Sequence, residues 1–157
     1  MSKICCFTGS RNVSRKALPI LMEKLESKIE NLIINEGYTD FRAGGALGFD
    51  TVAALTVLKL RDRHPHIKLH LILPCRNQEK YYTVQYKKIY RAILALADTQ
   101  IFMQERYTDG VMFARNRALV NGSDICIAYL TKSRGGTYYT VQYAKKQGVP
   151  VINVSSV

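Results

Sequence analysis

The chain has 157 residues, 47% of them hydrophobic, a length that suits one domain able to bury roughly 70% of its unfolded surface. It shows no basic-apolar leader and no apolar run near the roughly 18 residues of a membrane span, so a cytoplasmic protein with no membrane partner is expected. A net charge of +11, from 23 basic and 12 acidic residues, favours anionic partners such as nucleotides or nucleic acid.

Lys3 to Thr8 is a β-branched and sulfur-rich run ending at Gly9-Ser10-Arg11, the pattern of a buried first strand and its turn. Cys5, Cys6, Cys75 and Cys126 include no C-x-x-C spacing, so neither a metal site nor a disulfide framework is indicated; small core residues are. Leu18, Leu21, Leu25, Ile29, Leu32 and Ile33 recur as on a one-faced helix. Pro19 suits its first turn and Gly37 its end, leaving residues 12–16 as a loop.

Thr39 to Ala43 reads as the second strand and Thr51 to Arg63 as the second helix, stopped by His64-Pro65. Between them lies Gly44-Gly45-Ala46-Leu47-Gly48-Phe49-Asp50. Glycine there permits positive φ and lets an anion approach backbone N–H groups, while the following helix directs its positive end at the same point. It departs from the dinucleotide fingerprint, which would need glycine at Ala43 and an acid about 20 residues on.

Ile67 to Leu73 is a third strand covered on both faces, closed by Pro74, with 75–79 as the next loop. Tyr86, Ile89, Ile93 and Leu96 mark a third helix, Thr99 to Met103 a fourth strand, and 104–110 a loop. Val111 to Val120 predicts a fourth helix and Asp124 to Leu130 a fifth strand. Ser133-Arg134-Gly135-Gly136-Thr137 then repeats the glycine turn before a helix from about Tyr138 to Gln147, and Val149 to Val154 is the last strand. Strands alternating with helices predict an α/β, doubly wound, mostly parallel sheet of about six strands with helices on both faces.

Three glycine-bearing loops, 9–11, 44–50 and 134–137, fall at strand carboxyl ends and can converge on one cleft where strand order reverses. That convergence points to a phosphate or nucleotide site. Asp50 can hydrogen-bond a ribose or base, or interact with free N–H groups of its own helix. Arg115 and Arg117 lie two apart on a helix, so at most one reaches the cleft. Tyr81, Tyr82, Tyr107, Tyr138 and Tyr139 can stack on a base or simply pack. Carboxylates available for acid-base work are Asp50, Glu79, Glu105 and Asp109, and no spacing singles one out. His64, His66 and His70 flank the third strand's start, opposite the cleft.

Phe7-Thr8-Gly9-Ser10-Arg11, the Gly44 to Asp50 loop, Leu73-Pro74-Cys75-Arg76-Asn77-Gln78, Arg115-Asn116-Arg117 and Gly135-Gly136-Thr137-Tyr138-Tyr139-Thr140-Val141 together resemble the YpsA-like family of the SLOG superfamily. The resemblance covers nearly the whole chain and implies a Rossmann-like fold binding a nucleotide or nucleotide derivative, often as an oligomer. On it, Gly9, Ser10, Arg11, Gly44, Gly45, Gly48, Gly135, Gly136 and Thr137 would cradle phosphate or ribose, with Asp50, Gln78 and Arg115 adding polar contacts. The ligand would be a nucleoside phosphate or resemble ADP-ribose, and the protein a sensor, carrier or sequestering agent. Related Lonely Guy enzymes hydrolyse the bond between base and ribose 5′-monophosphate; Arg115 matches their arginine, but Thr140 stands where their glutamate would be. An enzymatic reading would use Arg115 as stabiliser and Glu79 or Asp50 as acid or base. Related DNA-processing protein A binds single-stranded DNA; the basic balance agrees with that alternative, while no aromatic-basic groove signature is visible in the sequence.

Overall fold

The alternating pattern becomes six strands and five α-helices in a computed structural model, which describes residues 2–155. In chain order these are β1 (Lys3–Gly9), α1 (Leu18–Glu36), β2 (Tyr38–Ala43), α2 (Phe49–Arg63), β3 (Lys68–Cys75), α3 (Val84–Leu96), β4 (Thr99–Gln104), α4 (Val111–Val120), β5 (Ile125–Tyr129), α5 (Gly136–Lys146) and β6 (Val151–Asn153), with a 3₁₀ turn at Gln78–Tyr81. Every strand pairing is parallel and the spatial order is β4-β3-β2-β1-β5-β6. The fold is therefore the Rossmann-like α/β class that the alternation and the resemblance imply.

The pleat explains the adjacent cysteines. Cys5 packs with Phe7, Phe41 and the apolar stripes of α1, α2 and α3 on one face, whereas Cys6 pairs in register with Cys126 and faces the smaller α4/α5 layer. All four cysteines are buried free thiols. Leu21, Leu25, Ile29, Leu32 and Ile33 form the inward stripe of α1, and Gly37 ends that helix in the left-handed region. Burying a Leu or Ile contributes about 1.5–3 kcal/mol, so this stripe anchors the first crossover to the sheet.

Some boundaries differ from the periodicity. Pro74 lies inside β3 rather than after it; the ladder pairs Leu73 with Phe102 and Cys75 with Gln104, stepping past the proline whose N–H is missing. Helix α2 starts at Phe49, and α5 at Gly136, so Asp50 and Thr137 occupy first helical turns. A turn of 3₁₀ helix at Gln78–Tyr81 takes in the end of the loop expected over 75–79. His64 and His70 lie at the amino-terminal edge of the sheet, paired with Glu30 at 2.9 Å and Asp40 at 2.7 Å. Among the described residues no helix is long and apolar enough to cross a membrane.

The connection from β4 to β5 must traverse the whole sheet, and α4 does so, packing against β3, β1 and β4. Arg42 of β2 clamps its far end: Nη1 donates to the Asn121 carbonyl at 2.6 Å and to Ser123 Oγ at 3.3 Å. A cation there satisfies acceptors that the helix leaves open and favours its negative end. Replacing it by alanine, Arg42→Ala, should lower unfolding free energy by about 1–2 kcal/mol in urea titrations.

Candidate functional site

Crossovers from β1 run toward β4 on one side, and those from β5 run toward β6 on the other. The turns after β1 and β5 therefore part and leave a crevice at their carboxyl ends. It measures about 490 Å³. Gly9, Ser10 and Arg11 form one wall; Gly135, Gly136 and Thr137 face them from the start of α5; Asp50 and Arg115 complete the interior. Eight of the residues expected at a site are thus brought together. Its floor is aromatic: Phe7 is fully buried, and Tyr129 stacks on Phe49 at 5.9 Å between ring centroids.

The Gly44 to Asp50 loop takes a different part from the cradle expected of it. Only Ala46 and Asp50 line the cleft. A Cβ on Gly44 would lie 2.6 Å from Arg115 Nη1 and 2.9 Å from Asp50 Oδ2, so its hydrogen is what admits both side chains. Gly45 faces Leu73, and its carbonyl accepts the Tyr82 hydroxyl at 3.3 Å. Gly48, at φ 75°, precedes α2 with its Cα directly against the Arg11 carbonyl. The next N–H, of Phe49, donates to the Ser10 carbonyl at 3.0 Å. Gly48 thus brings the β2 turn down onto the β1 turn, while Gly44 admits Arg115 and Gly45 packs on Leu73.

Asp50 answers the two alternatives in part. Its Oδ2 accepts the Ala46 N–H at 3.2 Å, while the Thr51 hydroxyl donates to the Ala46 carbonyl at 3.0 Å, tying the loop to the first turn of α2. The same carboxyl borders the cleft. Asp50 is 4% exposed and Arg115 3% exposed. Burial pushes the Asp50 carboxyl above its usual range, opposed by the Arg115 guanidinium, the Ala46 N–H and Arg11. Burial likewise pushes Arg115 down, opposed by Asp50 and reinforced by Arg11. Both shifts have one sense: desolvation outweighs the attraction between the two groups.

Arg115 donates through Nε to Asn116 Oδ1 at 2.9 Å and through Nη1 to the Gly44 carbonyl. Its remaining N–H groups have no acceptor among the described residues, and it borders open space. Opposite, Gly135 at φ 91° precedes α5 without a side-chain cap, so the first N–H groups of that helix lack intrahelical acceptors. Arg11, Lys132 and Arg134 surround the opening, and Asp50 is the one carboxylate in the lining. The arrangement suits an anion with several oxygens.

Other expected residues lie elsewhere. Gln78 belongs to a neighbouring cleft, where its Oε1 accepts the Tyr90 hydroxyl at 3.3 Å. Glu79 lines neither cleft; Arg91 holds its carboxylate at 2.7 Å. Arg117 turns to the Tyr139 hydroxyl at 2.8 Å, leaving Arg115 as the arginine of that pair in the cleft. Thr140 is fully buried and donates to the Gly136 carbonyl at 2.8 Å within α5. Asn116 and Lys132 also border the site. Lys132 stands just before the second glycine turn, a usable signal; Asn116 needed the facing of α4 to be known.

Gly48→Ala should destabilise the protein by roughly 2–5 kcal/mol in denaturant titrations, combining left-handed strain with collision against backbone. Gly110→Ala, at φ 82° with open space around it, should incur only the conformational part, about 1–2 kcal/mol. Asp50 gives a pH signature. Its folded pKa is raised, so its contribution to stability is complete below the unfolded value near 3.8 and is lost as pH rises through the folded value. The stability of Asp50→Asn relative to wild type should therefore increase across that window; a flat difference in urea titrations over pH would contradict it.

Comparison with known proteins places this geometry in a family. The chain is 33% identical over 138 residues to the SPbeta prophage-derived protein YoqJ of Bacillus subtilis, covering 80% of this chain and 81% of that one. In structure it is similar to DNA processing protein A from Streptococcus pneumoniae, with a TM-score of 0.68, 20% identity and coverage of 96% of this chain. The homologue from Helicobacter pylori, whose structure concerns single-stranded DNA binding, gives 0.67, 20% identity and coverage of 95% of this chain. The chain spans 49% and 63% of those two longer chains. The profile of the YspA SLOG family matches residues 7–151, and the chain belongs to that family.

Proposed function

We propose that the cleft between the β1 and β5 turns binds the phosphate-bearing part of a nucleotide or nucleotide derivative, such as a nucleoside phosphate or an ADP-ribose-like molecule. The observation that carries this reading is the meeting of the uncapped α5 amino terminus with Arg115, Arg11, Lys132 and Arg134 around a single buried carboxylate. Phosphate oxygens would take the free backbone N–H groups and the guanidinium donors, and the half-buried Tyr129 ring offers an apolar surface to the attached nucleoside. Such a protein acts as a sensor, a carrier or a sequestering agent for its ligand.

Isothermal titration with ADP-ribose and nucleoside 5′-monophosphates tests this. Arg134→Ala and Arg11→Ala should each weaken binding about tenfold, the usual worth of a charged hydrogen bond. Absence of binding to any of these phosphates at low salt would overturn the reading. Product analysis of the same mixtures addresses hydrolysis, for which Asp50 is the carboxyl at hand; multiple turnovers abolished by Asp50→Asn would make the protein an enzyme.

Single-stranded DNA is the second reading, and one observation favours it. Arg11, Lys80 and Arg106 gather with Tyr81, Tyr82 and Tyr107 around the cleft next door, an aromatic-basic surface that no contiguous stretch of sequence displays. The similarity to DNA processing protein A agrees with it. Binding to an oligonucleotide that weakens steeply as salt is raised would support it.

A further inference from the structure

The neighbouring cleft is the larger of the two, about 660 Å³. It adjoins the first through a common boundary, because Arg11 and Met112 line both. Each volume alone is within the range that accepts one small organic ligand.

The walls of this second cleft have a definite chemistry. Tyr82 is fixed: its ring meets Tyr90 edge to face at 5.7 Å, and its hydroxyl donates to the Gly45 carbonyl. Tyr81 and Tyr107 are held less, the Lys80 ammonium lying 5.4 Å from the Tyr81 ring centroid. They are 87% and 58% exposed, and among the described residues neither ring stacks on another aromatic. The two come from separate segments, the 3₁₀ turn after β3 and the loop after β4, which the β3–β4 pairing sets side by side. Arg11, Lys80 and Arg106 are the charged residues in the lining, and no carboxylate is among them. Asn77, whose carboxamide makes no hydrogen bond among the described residues, also borders it. Flat apolar rings, an amide able to donate and accept, and surrounding positive charge suit one kind of occupant: a planar, polar-edged ring attached to an anionic backbone.

We propose that the second cleft is a nucleobase pocket, and that the ligand is a dinucleotide, two nucleosides joined through phosphate, which crosses Arg11 with its phosphate in the first cleft and its second base against Tyr81 and Tyr107. This rests on the phosphate reading of the first cleft and extends it. Arg11, common to both walls, meets the linking phosphate.

Binding measurements with AMP, the dinucleotide pApA and an oligoadenylate of about ten residues test the proposal. The wild-type protein should bind pApA at least about tenfold more tightly than AMP, the effect of one added base stack. Tyr107→Ala and Tyr81→Ala should remove most of that advantage while AMP affinity stays within about twofold, and Tyr107→Phe should retain it, since stacking needs the ring and not the hydroxyl. Equal affinity for AMP and pApA in the wild type, an equal loss for both in the alanine variants, or no loss in either variant would overturn the dinucleotide. Failure of all three ligands to bind would overturn the phosphate reading and this proposal together, whereas loss of the pApA advantage alone leaves the first cleft standing. The oligoadenylate distinguishes sources of the same chemistry: affinity equal to pApA identifies a free dinucleotide, and a marked gain over it identifies a strand. The first outcome supports the proposal; the second overturns the dinucleotide in favour of the single-strand reading.

Discussion

The site depends on a contact between two turns that are far apart in sequence. The β2 turn can settle on the β1 turn because Gly48 and Gly9 carry hydrogen where a Cβ would strike the Arg11 carbonyl and the Phe49 side chain, and its Gly44 in the same way makes room for Arg115 and Asp50. Once seated, it delivers the Phe49 N–H to Ser10 and the Gly44 carbonyl to Arg115. That carbonyl is one of the acceptors that make it tolerable to bury a guanidinium at all; stripped of partners, a buried charge destabilises a protein by several kcal/mol. Close approach of backbone, burial of Arg115 and the shape of the cleft are thus one constraint. Losing the first would disturb the others without touching a ligand contact.

That constraint also shows what a sequence can and cannot display. The strands and helices were legible because their apolar residues recur with the period of the element, as in the five inward residues of α1. Parallel pairing followed from their alternation, and the position of ligand loops followed from strand polarity. Glycine was ambiguous. A Gly records only that Cβ is absent, and absence serves a left-handed backbone beside open space at Gly135 as well as a neighbouring side chain at Gly44. Which one applies is decided by what stands opposite, and at Gly44 that is Arg115, 71 positions away.

Tertiary assembly hid more in the second cleft. Tyr81 ends a 3₁₀ turn and Tyr107 stands in a loop, with no common motif, and Arg11 belongs to a turn near the start of the chain. Read along the sequence these are dispersed bases and packing tyrosines; adjacent strands turn them into a surface with one chemical character. Glu79 shows the reverse. Beside Gln78 it looked available for acid-base work, yet the 3₁₀ turn points it toward Arg91 while Gln78 faces inward.

The buried pair Asp50 and Arg115 links the cleft's charge to its occupancy. Burial disfavours the charged form of each, and their mutual attraction offsets it only in part. An arriving anion alters the balance unequally. Its negative charge stabilises the guanidinium and opposes the carboxylate, so it further raises the pKa that burial has already lifted. If the cleft binds an anion as proposed, anion binding and proton uptake at Asp50 would be coupled with positive sign, and by reciprocity a protonated Asp50 would increase affinity for the anion. On the proposed reading, a carboxyl inside a cationic cleft, which at first sight weakens an anion site, would instead make its affinity depend on pH. A site built from arginine and backbone N–H groups alone would carry no carboxyl to give such a response.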